Sequence, residues 1–288
     1  MKKRFFALIA IAAMAIGVTT ACGAGNDAKN QTSTNEKSES DEKKAITVAA
    51  SETPHAEILE QAKEILAKDG WDLQVTVFSD YVQPNMVVDS GEFDANYFQH
   101  QPYLDSFNEE KNTKLVSVGK IHYEPFGIYG GTKKSLDEIA DGDSIAVPND
   151  TTNEARALLL LQDNGIIELA EDAGLNATKS DITKYNYDVE IVELEAAQVP
   201  KVIDETAYVV LNGNYALEAG LSVAKDALAY ESAESDAAET YANIITVKKG
   251  NEDNEGVKAL VDVLKSEEIQ SWIEKNYDGA VLPYTADK

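Results

Sequence analysis

The sequence predicts an α/β protein of two modest domains with mainly parallel sheets. Three observations lead there. Short apolar runs of strand character alternate with stretches whose apolar residues recur at helical spacing. The chain has 288 residues, 43% of them hydrophobic, which is enough for real cores and suits two domains better than one. Polar and aromatic residues gather where predicted strands give way to helices, at Asp94-Ala-Asn-Tyr-Phe98 and again over Tyr208 to Tyr215. Open α/β sheets bind ligands at such strand ends, and two of them facing each other would make a cleft.

Each element follows from its local pattern. Ile46 to Ala50 reads as a short apolar strand. Thr53-Pro54 then reads as an N-cap with proline at the first helical position, and Ile58, Leu59, Ala62, Ile65 and Leu66 fall at helical spacing up to Gly70. Leu73 to Phe78 and Phe93 to Phe98 read as strands, and His100 to Glu110 as a helix. Leu115 to Tyr123 and Phe126 to Gly130 are strand-like on either side of Pro125. Ser144 to Val147 (strand), Asn153 to Asp163 (helix), Val189 to Leu194 (strand), Gln198 to Asp204 (helix) and Ala207 to Leu211 (strand) continue the alternation. Tyr241 to Val247 is a late strand, and helices over Glu255 to Leu264 and Glu267 to Asn276 close the chain.

Ahead of this body stands an export signal. Lys2, Lys3 and Arg4 form a positive start, and Phe5 to Val18 an apolar stretch too short for a membrane-spanning helix. Residues 1–21 therefore read as a lipoprotein signal peptide. Thr20-Ala21-Cys22-Gly23 resembles a bacterial lipobox, with Thr19 where leucine is usual, and makes Cys22 the expected lipidation site. An ordinary secretory signal followed by an incidental cysteine is the alternative. From Gly23 to Lys44 no apolar residue exceeds alanine, so residues 22–44 read as the lipidated cysteine and a flexible tether.

Composition excludes several classes. Lys and Arg number 25 against 51 Asp and Glu, a net charge of −26, which lacks the basic footprint a nucleic acid requires. One cysteine gives no disulfide framework, and three histidines scattered in sequence (His55, His100, His122) argue against a metal site. No Gly-x-Ser-x-Gly, phosphate-cradling loop or His-Glu-x-x-His is present, and nothing selects a catalytic carboxylate pair. No enzyme and no cofactor is expected.

The most informative segment is Val147-Pro-Asn-Asp-Thr-Thr-Asn-Glu-Ala-Arg156. Thr151 and Glu154 have capping-box spacing, and Asn153 and Arg156 share one face of the first turns. A helix start with free N–H groups and a planar guanidinium suits a carboxylate. Arg156 is the only arginine beyond Arg4 of the signal. A surface arginine paired with Glu154 or another acid is the alternative. Tyr81, Tyr97, Phe98, His100, Tyr103, His122 and Tyr123 cluster after strands; core packing explains any one of them, whereas their shared position suits an apolar or thioether side chain.

These residues carry a resemblance. Phe78-Ser-Asp-Tyr-Val-Gln-Pro-Asn85, the Phe-Gln-His-x-Pro-Tyr-Leu pattern from Phe98, the Pro-Asn-Asp-x-Thr-Asn-x-x-Arg pattern ending at Arg156, and Leu211-Asn-Gly-Asn-Tyr-Ala216 are similar to those of the NlpA/MetQ family. Its members are the methionine-binding lipoproteins of ABC importers. The resemblance implies a two-lobed periplasmic-binding-protein fold (type II-like), with a ligand cleft between lobe 1 (46–123 plus 236–288) and lobe 2 (124–235). It implies that Arg156 holds an amino-acid carboxylate beside Asn153, and that Asn212 contacts the amino or carboxylate group. Tyr81, Phe98, His100, Tyr123 and Tyr103 would enclose the thioether. It further implies L-methionine as ligand, an ABC permease and ATPase complex as partner, a monomer, and a lipid-anchored place on the outer face of a cell membrane; the many lysines beside only two arginines point to a Gram-positive cell surface. A methionine-containing dipeptide or another small apolar amino acid, and a surface adhesin or interaction lipoprotein, are the competing expectations. Thr151 and Gly213-Asn214 depart from the family pattern, the latter beside Asn212.

Overall fold

Ile46, Val48 and Ala50 alternate into one buried face, so the chain opens on a strand, β1 (Lys44–Ala50). The computed structural model describes residues 44–232 and 236–285; the expected signal, Cys22 and the tether up to residue 43 lie outside them, and Lys44, expected to end the tether, opens β1. In order there follow α1 (Glu57–Lys68), β2 (Trp71–Val77), α2 (Gln83–Ser90), β3 (Ala95–His100), α3 (Gln101–Lys111), β4 (Leu115–Tyr123) and β5 (Gly127–Gly130). The middle of the chain holds β6 (Ser144–Pro148), α4 (Thr151–Asp163), β7 (Ile167–Leu169), β8 (Ile182–Tyr185), β9 (Glu190–Leu194), β10 (Tyr208–Leu211), α5 (Gly213–Glu218), α6 (Val223–Asp226) and β11 (Ala227–Tyr230). The last part holds α7 (Asp236–Thr240), β12 (Asn243–Lys248), α8 (Glu255–Leu264), α9 (Glu267–Tyr277) and β13 (Leu282–Pro283).

The strands form two main sheets and a hairpin. One sheet runs β13-β4-β12-β3-β1-β2, the other β11-β5-β10-β6-β9, and β7 pairs with β8. Three neighbours in each are parallel, β2-β1-β3 and β10-β6-β9. The rest pair antiparallel, which corrects the expectation of mainly parallel sheets. The reason lies in the path: β4 leaves the first sheet, β5 enters the second, and β11 and β12 bring the chain back. Each sheet has its own core. Leu59, Leu66, Tyr97, Ile245 and Leu260 pack under the first, and Phe126, Ile145, Leu158, Leu161 and Tyr208 under the second.

Local differences from expectation have physical causes. Thr53 does not cap a helix; its backbone is extended, as a residue before proline prefers, and its hydroxyl donates to Glu57 Oε1 at 2.7 Å. The helix expected over Gln198 to Asp204 is a run of tighter 3₁₀ turns over Ala196–Val202, because Pro200 lacks the N–H that an α-helix needs there. The short α2, the β7–β8 hairpin and β11 were not expected.

Candidate ligand-binding site

Residues at the exits of β3, β6 and β10 converge on one narrow cavity of about 20 Å³ between the sheets. Tyr81, Phe98, His100, Tyr103, Asn153, Arg156 and Asn212 all line it. Tyr123 does not; it is buried behind the site, its hydroxyl donating to Glu231 Oε2 at 2.8 Å.

The sequence places these groups through helix starts. Asp150, not Thr151, caps α4, its Oδ1 accepting from the Asn153 backbone N–H at 3.1 Å and from Asn153 Nδ2 at 2.8 Å. The expected capping box is absent, since Glu154 accepts the Lys179 N–H at 2.8 Å instead. With its amide so held, Asn153 turns Oδ1 to the cavity side, where it accepts from Asn212 Nδ2 at 2.9 Å and meets His100 Nε2 at 3.2 Å. His100 caps α3: its Nδ1 accepts the Tyr103 N–H at 3.2 Å. That bond needs a bare Nδ1, so Nε2 carries the hydrogen and donates to Asn153. Burial, and then the charge of Arg156, push His100 down to about 3, so the ring is neutral at physiological pH.

Asn212 is held by its amide nitrogen, and its Oδ1 is buried without a partner among the described residues. A buried acceptor in that state favours a donor from a ligand. Glu124, in the first crossing between sheets, also lines the cavity, with Oε1 2.7 Å from His122 Nε2 and 3.4 Å from His55 Nε2. Burial raises Glu124, while His55, Arg156 and the Asn214 amide pull the other way. Gly213 makes room for it: a Cβ there would lie 2.6 Å from Glu124 Cβ. The Gly213-Asn214 pair thus has two consequences, since Asn214 Oδ1 also accepts the Tyr81 hydroxyl at 2.5 Å across the cleft.

Arg156 is neither exposed nor paired with Glu154. It is buried, with Nε and Nη2 donating to the two oxygens of Glu231 at 2.7 and 2.6 Å, and Nη2 also to Glu124 O at 3.0 Å. Burial alone would lower its pKa, but Glu231 outweighs that and the net shift is upward; a guanidinium is charged at physiological pH in any case. The aromatic wall is contiguous: the ring of Tyr81 lies 5.6 Å from that of Phe98, 5.7 Å from that of Tyr103 and 5.0 Å from that of Tyr215. The site therefore offers a cation at one side, acceptors at another and rings between.

Sequence reasoning placed Gly213-Asn214 beside Asn212 but missed Glu124, Asn243 and Gln99 in the lining, and Glu231 behind it. Glu124 left a signal: a lone acid between the apolar runs Ile121 to Tyr123 and Phe126 to Ile128. His55 and His122, distant in sequence, lie with tilted rings 5.0 Å apart and, with Glu124, bring three potential metal ligands together. Their ring nitrogens are occupied by Asn243, Tyr97 and Glu124, except for His55 Nδ1, which has no partner among the described residues.

An α/β fold whose two sheets bring their strand ends to a shared polar and aromatic cavity has the architecture of a small-molecule binding site. The chain belongs to the NlpA lipoprotein family, whose model matches residues 46–285. A lipoprotein of Ruminococcus gnavus of known structure is 74% identical, with a TM-score of 0.83 over 84% of this chain and 100% of that one. The methionine-binding lipoprotein MetQ of Bacillus subtilis is 42% identical over 287 residues, 98% of this chain and 99% of the relative. A nutrient-binding protein of Burkholderia cenocepacia, solved bound to methionine, is 42% identical, with a TM-score of 0.79 over 83% of this chain and all of that one. Among the described residues no helix is long and apolar enough to cross a membrane.

Proposed function

We propose that this lipoprotein is a non-enzymatic receptor that captures free L-methionine outside the cell and delivers it to an ABC importer. The supporting observation is the pairing, in one cavity, of Arg156 with the acceptors Glu124 and Asn212 beside the rings of Tyr81, Phe98 and Tyr103. A zwitterion needs both charges answered: Arg156 Nη1, with Asn153 beside it, takes the carboxylate, while Glu124 and Asn212 Oδ1, which has no partner among the described residues, take the ammonium. Charged hydrogen bonds at roughly 1.5–3 kcal/mol each set the head-group requirement. The thioether lies among the rings, where sulfur–ring contacts add roughly 0.3–1.5 kcal/mol. His100, neutral, orients Asn153 and adds a wall.

Residues 46–123 with 236–288 act as one lobe and 124–235 as the other, closing over the ligand. Contacts across the cleft, such as Tyr81 to Asn214 and Tyr215 to Ser79 O at 3.3 Å, belong to the closed form. Cys22, acylated, holds the monomer at the outer face of the cell membrane, and lobe closure presents a defined surface to the permease and its ATPase.

Mass spectrometry of small molecules released from the purified, denatured protein tests the ligand directly, and L-methionine is expected. Calorimetry with L-methionine should show binding that Arg156→Ala weakens by at least about tenfold, the scale of one lost charged hydrogen bond. Unchanged affinity in that variant would remove the carboxylate role.

A further inference from the structure

We propose that Glu231 is a positioning residue for the anion seat, fixing the orientation of Arg156 and tying it to both segments that cross between the sheets. The proposal rests on the zwitterion reading above and deepens it. Glu231 lies in the return crossing, just past β11, 75 residues from Arg156 in sequence. Its two oxygens meet Nε and Nη2, the parallel fork geometry that sets a guanidinium plane as well as its position. Oε2 also accepts the Tyr123 hydroxyl at 2.8 Å and the Phe126 backbone N–H at 3.1 Å. Those two residues flank Glu124-Pro125 in the outgoing crossing. One carboxylate therefore binds the arginine, the outgoing segment and, through its own backbone, the return segment.

This arrangement determines which part of Arg156 meets a ligand. Nε and Nη2 are committed, Nη1 makes no hydrogen bond among the described residues, and Arg156 lines the cavity. The rings of Tyr241 and Phe126, 4.2 and 4.7 Å from Cζ, complete the mount. Without the fork the arginine keeps its charge and its rings but loses the constraint that aims Nη1. A different role, in which Glu231 competes with the ligand carboxylate for the guanidinium, predicts the opposite sign of effect, so the two are separable.

The experiment compares two ligands on the soluble chain by calorimetry: L-methionine, and 3-(methylthio)propylamine, which keeps the amine and thioether but has no carboxylate. Glu231→Gln should weaken L-methionine by at least about tenfold. It should leave the amine within about twofold, and Glu231→Asp should recover part of the loss. Unchanged or tighter L-methionine binding in Glu231→Gln overturns the proposal. Equal losses for both ligands also overturn it, because a merely structural role would not distinguish them. If the wild-type chain itself fails to bind L-methionine, the zwitterion reading falls first and carries this proposal with it.

Discussion

Three histidines share one electrostatic condition. Burial, the largest cause in each case, pushes His55 down to about 4 and His100 and His122 to about 3, so all are neutral in the folded protein at neutral pH. In the unfolded chain they titrate near 6.5. Below that pH the unfolded state binds protons that the folded state refuses, so each histidine contributes a loss of stability as pH falls toward its folded value, about 1.4 kcal/mol per pH unit. Asp150 opposes this: burial raises it to about 6, so the folded state gains its proton first as pH falls. A difference measurement isolates one group. His122→Gln keeps an N–H to face Glu124 Oε1, now 2.7 Å from Nε2, but cannot titrate. The variant should be less stable than wild type at pH 7, and the gap should shrink as pH is lowered from 6.5 to 4.5. Denaturant unfolding at a series of pH values reads this, and a constant gap would contradict the neutral, buried ring.

At the scale of elements, helix starts do the positioning. Asp150 caps α4 and at the same time holds the Asn153 amide, so the two jobs of stabilising the helix and aiming a site residue meet in one side chain. Asp150→Ala should cost about 1 kcal/mol of stability and also weaken ligand binding. Asp150→Asn, which keeps an acceptor oxygen, should retain most of both. Thermal unfolding and calorimetry on the pair of variants separate the outcomes. The same helix shows what the sequence could carry. Its start was legible in Pro148-Asn-Asp-Thr-Thr, and its apolar run Leu158 to Leu161 marked its body. Which residue capped it was not, because Asp150 and Thr151 are both good caps one residue apart. Seven of the eight ligand-binding candidates meet in one cavity because each sits at a strand end or helix start, a position that local pattern reveals. Tyr123 was placed in the lining and Glu231 overlooked for the converse reason: their partners are set by the two crossings, which no local spacing encodes. The β7–β8 hairpin escaped because it is short and its second strand is largely exposed, leaving little apolar alternation to read.

For the whole molecule, charge and topology bear on how it works. Loss of the expected signal removes Lys2, Lys3 and Arg4 and takes the net charge from −26 to −29. Such a surface repels carboxylates at long range, and the local exception is the buried Arg156, 4% exposed, at the cavity. Topology makes the two halves unequal. Every strand of the second sheet, from β5 to β11, lies within residues 124–232, whereas the first sheet needs β12 and β13 from the end of the chain. A fragment of residues 124–232 should therefore fold with a cooperative thermal transition, and one of residues 44–123 should not; circular dichroism on both checks this.

The position of β12 between β3 and β4 also sets an order of events in time. Until Asn243–Lys248 is synthesised, β3 and β4 lack the strand that lies between them and pairs with both, and the first core lacks Ile245, Val247 and the helices that follow. A strand arriving last thus completes the half that was made first.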